Sequence, residues 1–225
     1  MDHPVTLDWK QIRLLVFDLD GTLVDSKQDL ALSVNAMRAE MGMEALPLGL
    51  IASYVGHGVT LLVQRSLGPL ATRENMEKGL AFFLAYYREH MLDNTAPYPG
   101  VAEALSELAA HPMAVLTNKP VHFSREMLAR LGLASRFAYI YGGNSFPKKK
   151  PDPMGLHKLM EDLHVPARQT LMVGDSDTDI LTGRNAGVWT CGVNYGFGAA
   201  TLQNVSPDRV IGDLRELPPL LDRHG

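Results

Sequence analysis

Three short apolar runs, each followed at once by polar residues, constrain the fold of this chain most strongly. Each run is typical of a buried strand of a parallel sheet. The runs and the polar residues after them are Leu14–Phe17 with Asp18 and Asp20, Met113–Leu116 with Thr117 and Asn118, and 171–174 with Asp175 and Asp179. Because ligands of open α/β sheets bind outside the carboxyl ends of the strands, these side chains are expected to meet at one site.

Helix-like and strand-like patterns alternate from Val101 to the end of the chain. Apolar residues three or four positions apart indicate helices around 101–108, 123–131, 156–163 and 180–186, with apolar runs between them around 113–116, 139–141, 171–173, 188–193 and 210–211. This alternation is typical of parallel strands joined by helices. The predicted fold class is therefore α/β, with a Rossmann-like parallel sheet flanked by helices.

The segment 27–93 has helical periodicity and almost no strand signal. Apolar faces are formed by Leu30, Val34, Met37 and Met41, and by Leu80, Phe83, Leu84, Tyr87 and Met91, and Gly58 precedes a shorter helical stretch at 59–67. A helical insertion of this size cannot lie within the sheet, so we expect a helical cap inserted after the first strand. Pro and Gly in 94–100 indicate a linker back to the sheet. The predicted domains are a discontinuous α/β core, 1–24 and 95–225, and a cap, 25–94.

Composition and charge argue against nucleic acid and membranes as partners of this chain. The chain has 225 residues, 46% of them hydrophobic and 20% charged, with a formal net charge of −4. This charge gives no basic surface for nucleic acid or for an acidic membrane, and no apolar run approaches the ~20 residues that a membrane span needs. The N-terminal segment does not resemble a secretory signal. The single cysteine, Cys191, cannot form an internal disulfide, so a cytoplasmic location is expected.

Asp18 and Asp20 form an Asp-x-Asp pair at the end of the first strand. If the backbone stays extended through Leu19, both carboxylates lie on the same side. Two negative charges so close together require a cation, a shared proton or solvent between them. The pair suits Mg²⁺, and it also suits a nucleophile partnered by an acid/base carboxyl group. An aspartate that caps a turn beside a solvated aspartate would give the same pattern.

Residues 17–26, FDLDGTLVDS, resemble the first motif of the haloacid dehalogenase superfamily of phosphotransferases. In having an aspartate at position 20, the chain resembles the phosphatases and phosphomutases of the superfamily. The dehalogenases lack this aspartate, and the ion-pumping ATPases have threonine there. The segments LTNK at 116–119, KKKPDP at 148–153 and VGDSDTD at 173–179 resemble the later motifs. The resemblance thus covers nearly the whole chain.

The resemblance implies a role for each polar cluster. Asp18 would be the nucleophile that becomes an aspartyl phosphate, and Asp20 would be the general acid and base. Lys150, the lysine directly before the proline, would neutralise the nucleophile and the transferring phosphoryl group. The Thr117 hydroxyl and the Asn118 backbone amide would hold the phosphoryl oxygens.

The resemblance also implies a bound Mg²⁺. Its expected protein ligands are the Asp18 carboxylate, the backbone carbonyl of Asp20 and the Asp175 carboxylate. Asp179 would orient Lys150 or a metal-bound water.

Within the superfamily, the segment 54–67 and the segment NYGFG at 194–198 resemble bacterial phosphoglycolate phosphatases. This implies hydrolysis of a small phosphate monoester, 2-phosphoglycolate first, with His57 and Arg65 near the substrate carboxylate. At position 57 a smaller polar residue such as asparagine is expected, which leaves the exact substrate open. His57 could instead be a solvated residue, and Arg65 could pair with an acidic residue of the cap.

Other activities on this fold are alternatives. Hexose-phosphate mutases, pyrophosphatases and nucleotidases have similar caps, although mutases usually have a bulky aliphatic residue where this chain has Thr22. A non-catalytic phosphate-binding protein would be expected to lack Asp18, Asp20 or Lys150. The sequence gives no indication of the oligomeric state.

Overall fold

The computed structural model describes residues 7–222. Its strands are β1 (Leu14–Phe17), β2 (Val24–Asp25), β3 (Ala96–Pro97), β4 (Met113–Leu116), β5 (Tyr139–Tyr141), β6 (Thr170–Gly174), β7 (Trp189–Val193) and β8 (Arg209–Ile211). Its α-helices are α1 (Lys27–Glu40), α2 (Leu48–Ala52), α3 (Val59–Leu67), α4 (Arg73–His90), α5 (Val101–Glu107), α6 (Val121–Arg130), α7 (Met154–Leu163), α8 (Asp177–Ala186) and α9 (Leu217–Leu221). Short 3₁₀ turns connect several of these elements.

Six strands form one sheet in the order β5-β4-β1-β6-β7-β8, and all of its strand pairs are parallel. Strand β1 lies between β4 and β6, with Phe17 opposite Val115 on one side and Val173 on the other. The predicted α/β fold with a parallel sheet flanked by helices is confirmed. The register places the ends of the three apolar runs side by side.

Both faces of the sheet are covered, which is why its central strands read as continuous apolar runs. Along β1, Leu15 and Phe17 belong to one buried cluster, and Leu14 and Val16 belong to a second cluster. Successive side chains of a strand point to opposite faces, so the central strands β1, β4 and β6 contribute to both clusters. All four side chains are fully buried, and each contributes about 1.5–3 kcal/mol through the hydrophobic effect.

Helices α1 to α4 lie between β2 and β3 in the chain and pack on one another rather than extend the sheet. Helix α1 packs against α2, α3 and α4, and α3 packs against α4. Helix α4 buries Gly79, Phe83 and Tyr87 on one side. We propose that residues 25–94 form the cap domain predicted from the sequence.

The cap is joined to the rest of the chain by two segments that pair with each other. Strands β2 and β3 are antiparallel, with Val24 opposite Pro97 and Asp25 opposite Ala96. Near the start of α1, the buried Asp29 carboxylate accepts hydrogen bonds from the backbone N–H groups and side chains of Asn94 and Thr95, at 2.7–3.0 Å. The two connections are therefore fixed to each other, because a buried carboxylate is stable only when such donors surround it.

Helix α4, with 18 residues, is the longest helix in the described part of the chain. It contains many charged residues, and among residues 7–222 no helix is both long enough and apolar enough to cross a bilayer. The cytoplasmic location stays a prediction.

Candidate active site

The carboxyl ends of β1, β4 and β6 bring the three polar clusters together. Asp18, Thr117 and Asp175 each come directly after one of these neighbouring strands, and all three side chains are buried. Lys150, from the loop before α7, and Asp179, in the first turn of α8, are buried in the same place. The structure thus places at one sheet edge the side chains that the sequence predicted to meet there.

Asp18, Asp175 and Asp179 form an acidic cluster around a single ammonium group. One carboxylate oxygen from each lies within 4.8 Å of the others. The Lys150 Nζ lies 2.8 Å from Asp18 Oδ1 and 2.5 Å from Asp179 Oδ1. When all groups are ionised, three carboxylates face one ammonium group, so the buried cluster has an excess negative charge that a divalent cation would neutralise.

Burial governs the protonation of this cluster. Burial raises the pKa of Asp18 to about 6, against the attraction of Lys150 and with the repulsion of Asp179. Burial, followed by the charges of Asp179 and Asp18, also raises the pKa of Asp175 well above its usual value. For Lys150, burial acts to lower the pKa, but Asp179 and Asp18 outweigh it and raise the pKa. Without a bound metal ion, Asp18 and Asp175 therefore retain their protons to higher pH than ordinary aspartates do.

Asp179 is held by the start of helix α8. Its Oδ2 accepts a hydrogen bond from the Ser176 backbone N–H at 3.1 Å, which is one half of a capping box. The same oxygen accepts a hydrogen bond from the Ser176 hydroxyl at 2.7 Å. Its Oδ1 accepts a hydrogen bond from Lys150. Both carboxylate oxygens are thus engaged, which leaves Asp18 and Asp175 as the carboxylates better placed to bind a metal.

Three glycines make room for Asp175. A Cβ on Gly21, which has φ +90°, would lie 2.2 Å from Asp175 Oδ2, and a Cβ on Gly196 would lie 2.3 Å from the Asp175 Cβ. The Gly198 N–H donates a hydrogen bond of 2.7 Å to Asp175 Oδ2. Gly196 and Gly198 belong to the NYGFG segment, to which the sequence analysis gave no role in the site. They allow the chain to approach a buried carboxylate that side chains would displace.

Thr117 and Asn118 line a cavity that Asp18 also lines. The Thr117 hydroxyl accepts a hydrogen bond from the Lys119 backbone N–H at 3.2 Å. The Asn118 side chain donates hydrogen bonds to the carbonyls of Gly56 and Lys150, at 2.8 Å and 3.0 Å. Since Gly56 belongs to the loop before α3, the Asn118 side chain joins the helical insertion to the loop that carries Lys150, a contact that the sequence did not indicate.

Asp20 has two partners. Its carboxylate accepts hydrogen bonds from the Ser26 hydroxyl at 2.6 Å and from the Lys119 Nζ at 3.0 Å and 3.1 Å. The same Nζ donates a hydrogen bond of 2.6 Å to the Tyr87 hydroxyl of α4. Although Lys119 lies in the LTNK motif, the residue pattern predicts no role for it, and only its adjacency to Thr117 and Asn118 signals one.

A cavity of about 50 Å³ lies between the sheet edge and the helical insertion. Asp18, Asp20 and Lys119 supply its charged groups, and the insertion supplies mostly apolar side chains: Leu30, Val55, Val59, Leu62, Phe83 and Tyr87. Lys119 is the cationic residue among those that line this cavity. The volume admits only a small organic group.

The two predicted specificity residues lie outside the lining of this cavity. His57 is exposed, and its Nδ1 lies 3.5 Å from the Thr178 hydroxyl at the start of α8. Arg65 is partly buried on α3. Their predicted contact with a substrate carboxylate stays a prediction.

Comparison with known proteins shows the family to which this chain belongs. Residues 15–193 match the family model described as haloacid dehalogenase-like hydrolase. Over 218 residues the chain is 41% identical to the phosphoglycolate phosphatase of Neisseria gonorrhoeae, covering 92% of each chain. Over 226 residues it is 37% identical to the phosphoglycolate phosphatase of Chromobacterium violaceum, covering 96% of this chain and 99% of the relative.

Solved structures also resemble this chain. The crystal structure of a predicted phosphoglycolate phosphatase from Haemophilus somnus superposes with a TM-score of 0.90 at 30% identity, covering 94% of this chain and 99% of that one. The family model spans β1 through β7, which includes all of the strands whose ends form the acidic cluster. The chain therefore belongs to the haloacid dehalogenase-like hydrolases.

Proposed function

We propose that this protein is a Mg²⁺-dependent phosphatase that hydrolyses small phosphate monoesters, 2-phosphoglycolate first, through an aspartyl phosphate on Asp18. The observation that carries the proposal is the position of Asp18. It is buried at the end of the central strand, 2.8 Å from the Lys150 ammonium group, and it lines a small cavity together with Asp20. The names of the relatives from Neisseria gonorrhoeae and Chromobacterium violaceum support the substrate.

Asp18, Asp175 and the backbone carbonyl of Asp20 would hold the Mg²⁺. The fit rests on hard oxygen donors and on the excess of carboxylates over ammonium groups in the cluster. Bound there, the cation would cancel negative charge that otherwise keeps a carboxylate and a phosphate apart.

The side chains of the protein account for the remaining chemistry. The Asp18 carboxylate attacks phosphorus, the bond from phosphorus to the alcohol oxygen breaks, and Asp20 donates a proton to the leaving alkoxide. Asp20 then takes a proton from a water that attacks the aspartyl phosphate, which releases inorganic phosphate and restores the Asp18 carboxylate. Lys150, Thr117 and the Asn118 backbone N–H stabilise negative charge on the other phosphoryl oxygens.

The cap would restrict the reaction to small substrates. The cavity next to Asp18 and Asp20 has about 50 Å³ and a mostly apolar cap side, so bulk water is excluded once a small leaving group fills it. His57 lies between Gly56 and Gly58, which have φ +105° and +90°, so its loop can approach a ligand closely. We propose that His57 and Arg65 lie near the non-phosphate end of the bound substrate.

Steady-state kinetics on a panel of phosphate esters tests this function. We expect 2-phosphoglycolate to have a higher kcat/KM than hexose phosphates, pyrophosphate and nucleoside monophosphates, and we expect EDTA to abolish phosphate release. Isomerisation of β-glucose 1-phosphate without phosphate release would instead show a mutase. Release of phosphate from none of these compounds would contradict the proposal.

A further inference from the structure

A single buried ammonium group joins Asp20 to helix α4. The Lys119 Nζ lies 3.0 Å and 3.1 Å from the two Asp20 carboxylate oxygens and 2.6 Å from the Tyr87 hydroxyl oxygen. The same Nζ lies 4.6 Å from the centre of the Tyr87 ring. The side chains of Lys119 and Asp20 are only 4% and 11% exposed, so water competes little for these contacts.

The geometry links two parts of the chain that are distant in sequence. Asp20 follows β1, whereas Tyr87 lies near the end of α4, inside the helical insertion. Lys119 lies in the loop after β4 and directly follows Thr117 and Asn118 in the chain. The Asp20 carboxylate also accepts a hydrogen bond from the Ser26 hydroxyl, which lies outside α4. Lys119 is therefore the group that connects helix α4 to the Asp20 carboxylate.

A carboxyl group that transfers a proton must lie within hydrogen-bond reach of the atom that receives it. We propose that Lys119 is a positioning residue that fixes Asp20 for proton transfer to the leaving alcohol, and that Tyr87 fixes Lys119. Packing of α4 against the sheet edge and placement of Asp20 are thereby coupled. The inference rests on the proposed phosphatase function.

Three esters separate this role from others. 2-Phosphoglycolate and 2-hydroxyethyl phosphate both release an alkoxide of similar size that needs a proton, but only the first has a carboxylate. p-Nitrophenyl phosphate releases a stable phenolate, which leaves without being protonated. In the first step, formation of the aspartyl phosphate, a residue that positions Asp20 affects the two alkyl esters alike and spares the aryl ester, because only the alkyl esters depend on the general acid there. The later attack of water, in which Asp20 is the base, is common to all three esters, so the comparison uses the single-turnover rate at which the alcohol or phenol is released.

The variants are Lys119→Met and Tyr87→Phe. Lys119→Met removes the ammonium group, and we expect the single-turnover rate of alcohol release from both alkyl esters to fall by about a hundredfold, the lower range for loss of general acid catalysis. Tyr87→Phe keeps the ring and removes the hydroxyl, so we expect a smaller fall with the same substrate pattern. Matched controls are Lys148→Met and Tyr86→Phe, at an exposed lysine and at a half-buried tyrosine on the same helix. Both controls should behave as wild type.

Each other pattern overturns the inference. A loss confined to 2-phosphoglycolate would show that Lys119 reads the substrate carboxylate. Equal losses in the single-turnover rate on all three esters would show a role in general structure or charge, and unchanged rates would show no role. If Lys119→Met does not fold, as judged by circular dichroism, Tyr87→Phe alone decides among these patterns. A wild-type protein that hydrolyses none of the esters would contradict the proposed function itself, and the inference with it.

Discussion

The three consecutive lysines at 148–150 have very different environments. Lys150 is buried between Asp18 and Asp179, whereas Lys148 is 66% exposed in its side chain and pairs with Asp152 at 3.2 Å. A lysine run on its own usually indicates a solvated surface. The position directly before a proline selected Lys150 through the family resemblance, and it is Lys150 that lies beside Asp18, at 2.8 Å. Its catalytic role stays a prediction.

These environments predict different effects of alanine substitution. Lys150→Ala should reduce phosphatase activity to background, because Asp18 and Asp179 would then face each other without a cation. Lys148→Ala should change kcat less than about twofold, since exposed ion pairs contribute little. Activity of both purified variants on 2-phosphoglycolate checks this, with circular dichroism to confirm folding. Similar activity in the two variants would contradict the assignment of Lys150.

Two left-handed glycines allow a test of the space around Asp175. Gly21 has φ +90° and its Cβ would lie 2.2 Å from Asp175 Oδ2, whereas Gly42 has φ +68° and has no atom within 4 Å of its Cβ position. Alanine at either site strains the backbone, but only Gly21→Ala also displaces Asp175. We therefore expect Gly21→Ala to raise the Mg²⁺ concentration for half-maximal activity at least tenfold.

Gly42→Ala is the matched control, because it has the backbone strain without the collision. It should lower the melting temperature slightly and leave the Mg²⁺ requirement unchanged. Titration of activity with Mg²⁺ for both variants makes the comparison. An equal Mg²⁺ requirement would show that Gly21 does not protect the position of Asp175.

Residue patterns predicted the groups that directly follow a strand and missed those brought close by tertiary structure. Asp18, Thr117 and Asp175 each follow an apolar run, so the rule for strand ends locates them. The contact between Lys119 and Asp20 joins residues 99 positions apart. No local period encodes such a pairing. The role of Gly196 beside Asp175 was missed for the same reason.

At the scale of the elements, the connection between the helical insertion and the sheet depends on Asp29. Its buried carboxylate accepts hydrogen bonds from the backbone and side chains of Asn94 and Thr95. Asp29→Ala leaves these donors without partners, so the free energy of unfolding should fall by about 3 kcal/mol, within the range for unsatisfied buried polar groups. Urea denaturation provides the measurement.

The control for this prediction is Asp25→Ala. Asp25 is on β2 of the same connection, but its side chain is 40% exposed and pairs with Lys27 at 3.4 Å. Its removal should cost less than about 1 kcal/mol, as is usual for exposed ion pairs. Equal destabilisation by the two substitutions would show that Asp29 is not the group that fixes the two connections.

Periodicity located the long elements of the fold and missed the shortest ones. The central strands and the long helices α1 and α4 give repeating apolar patterns, because each buries a face against the core. Strands β2 and β3 have two residues each, and α2 has five. Elements of this length contain less than two periods. Their existence depends on pairing and packing partners that one segment does not reveal.

At the scale of the whole molecule, protons and Mg²⁺ compete for the acidic cluster. Burial raises the pKa of Asp18 to about 6 and raises that of Asp175 as well. A carboxyl group with a raised pKa in the folded state binds its proton more tightly there than in the unfolded chain, where its pKa is about 3.9. The contribution of Asp18 to the stability of the metal-free protein is therefore most favourable below pH 4 and declines as pH rises to 6.

Mg²⁺ should reverse this decline, because it binds only the deprotonated carboxylates. The increase in melting temperature on adding Mg²⁺ should thus be small at pH 5 and grow as pH rises through 6 to 7. Thermal melts at several pH values, with and without Mg²⁺, measure it, and Asp175→Asn should weaken the effect. An increase of the same size at pH 5 and pH 7 would contradict competition at these carboxylates.

Asp18 is the proposed nucleophile of this phosphatase. The most direct measurement is the turnover of 2-phosphoglycolate with saturating Mg²⁺ by the wild-type protein and by Asp18→Asn, which keeps the size of the side chain and removes its nucleophilic charge. We predict that kcat falls on the order of a thousandfold or more while the far-ultraviolet circular dichroism spectrum is unchanged. Turnover by folded Asp18→Asn close to the wild-type rate would contradict the covalent mechanism.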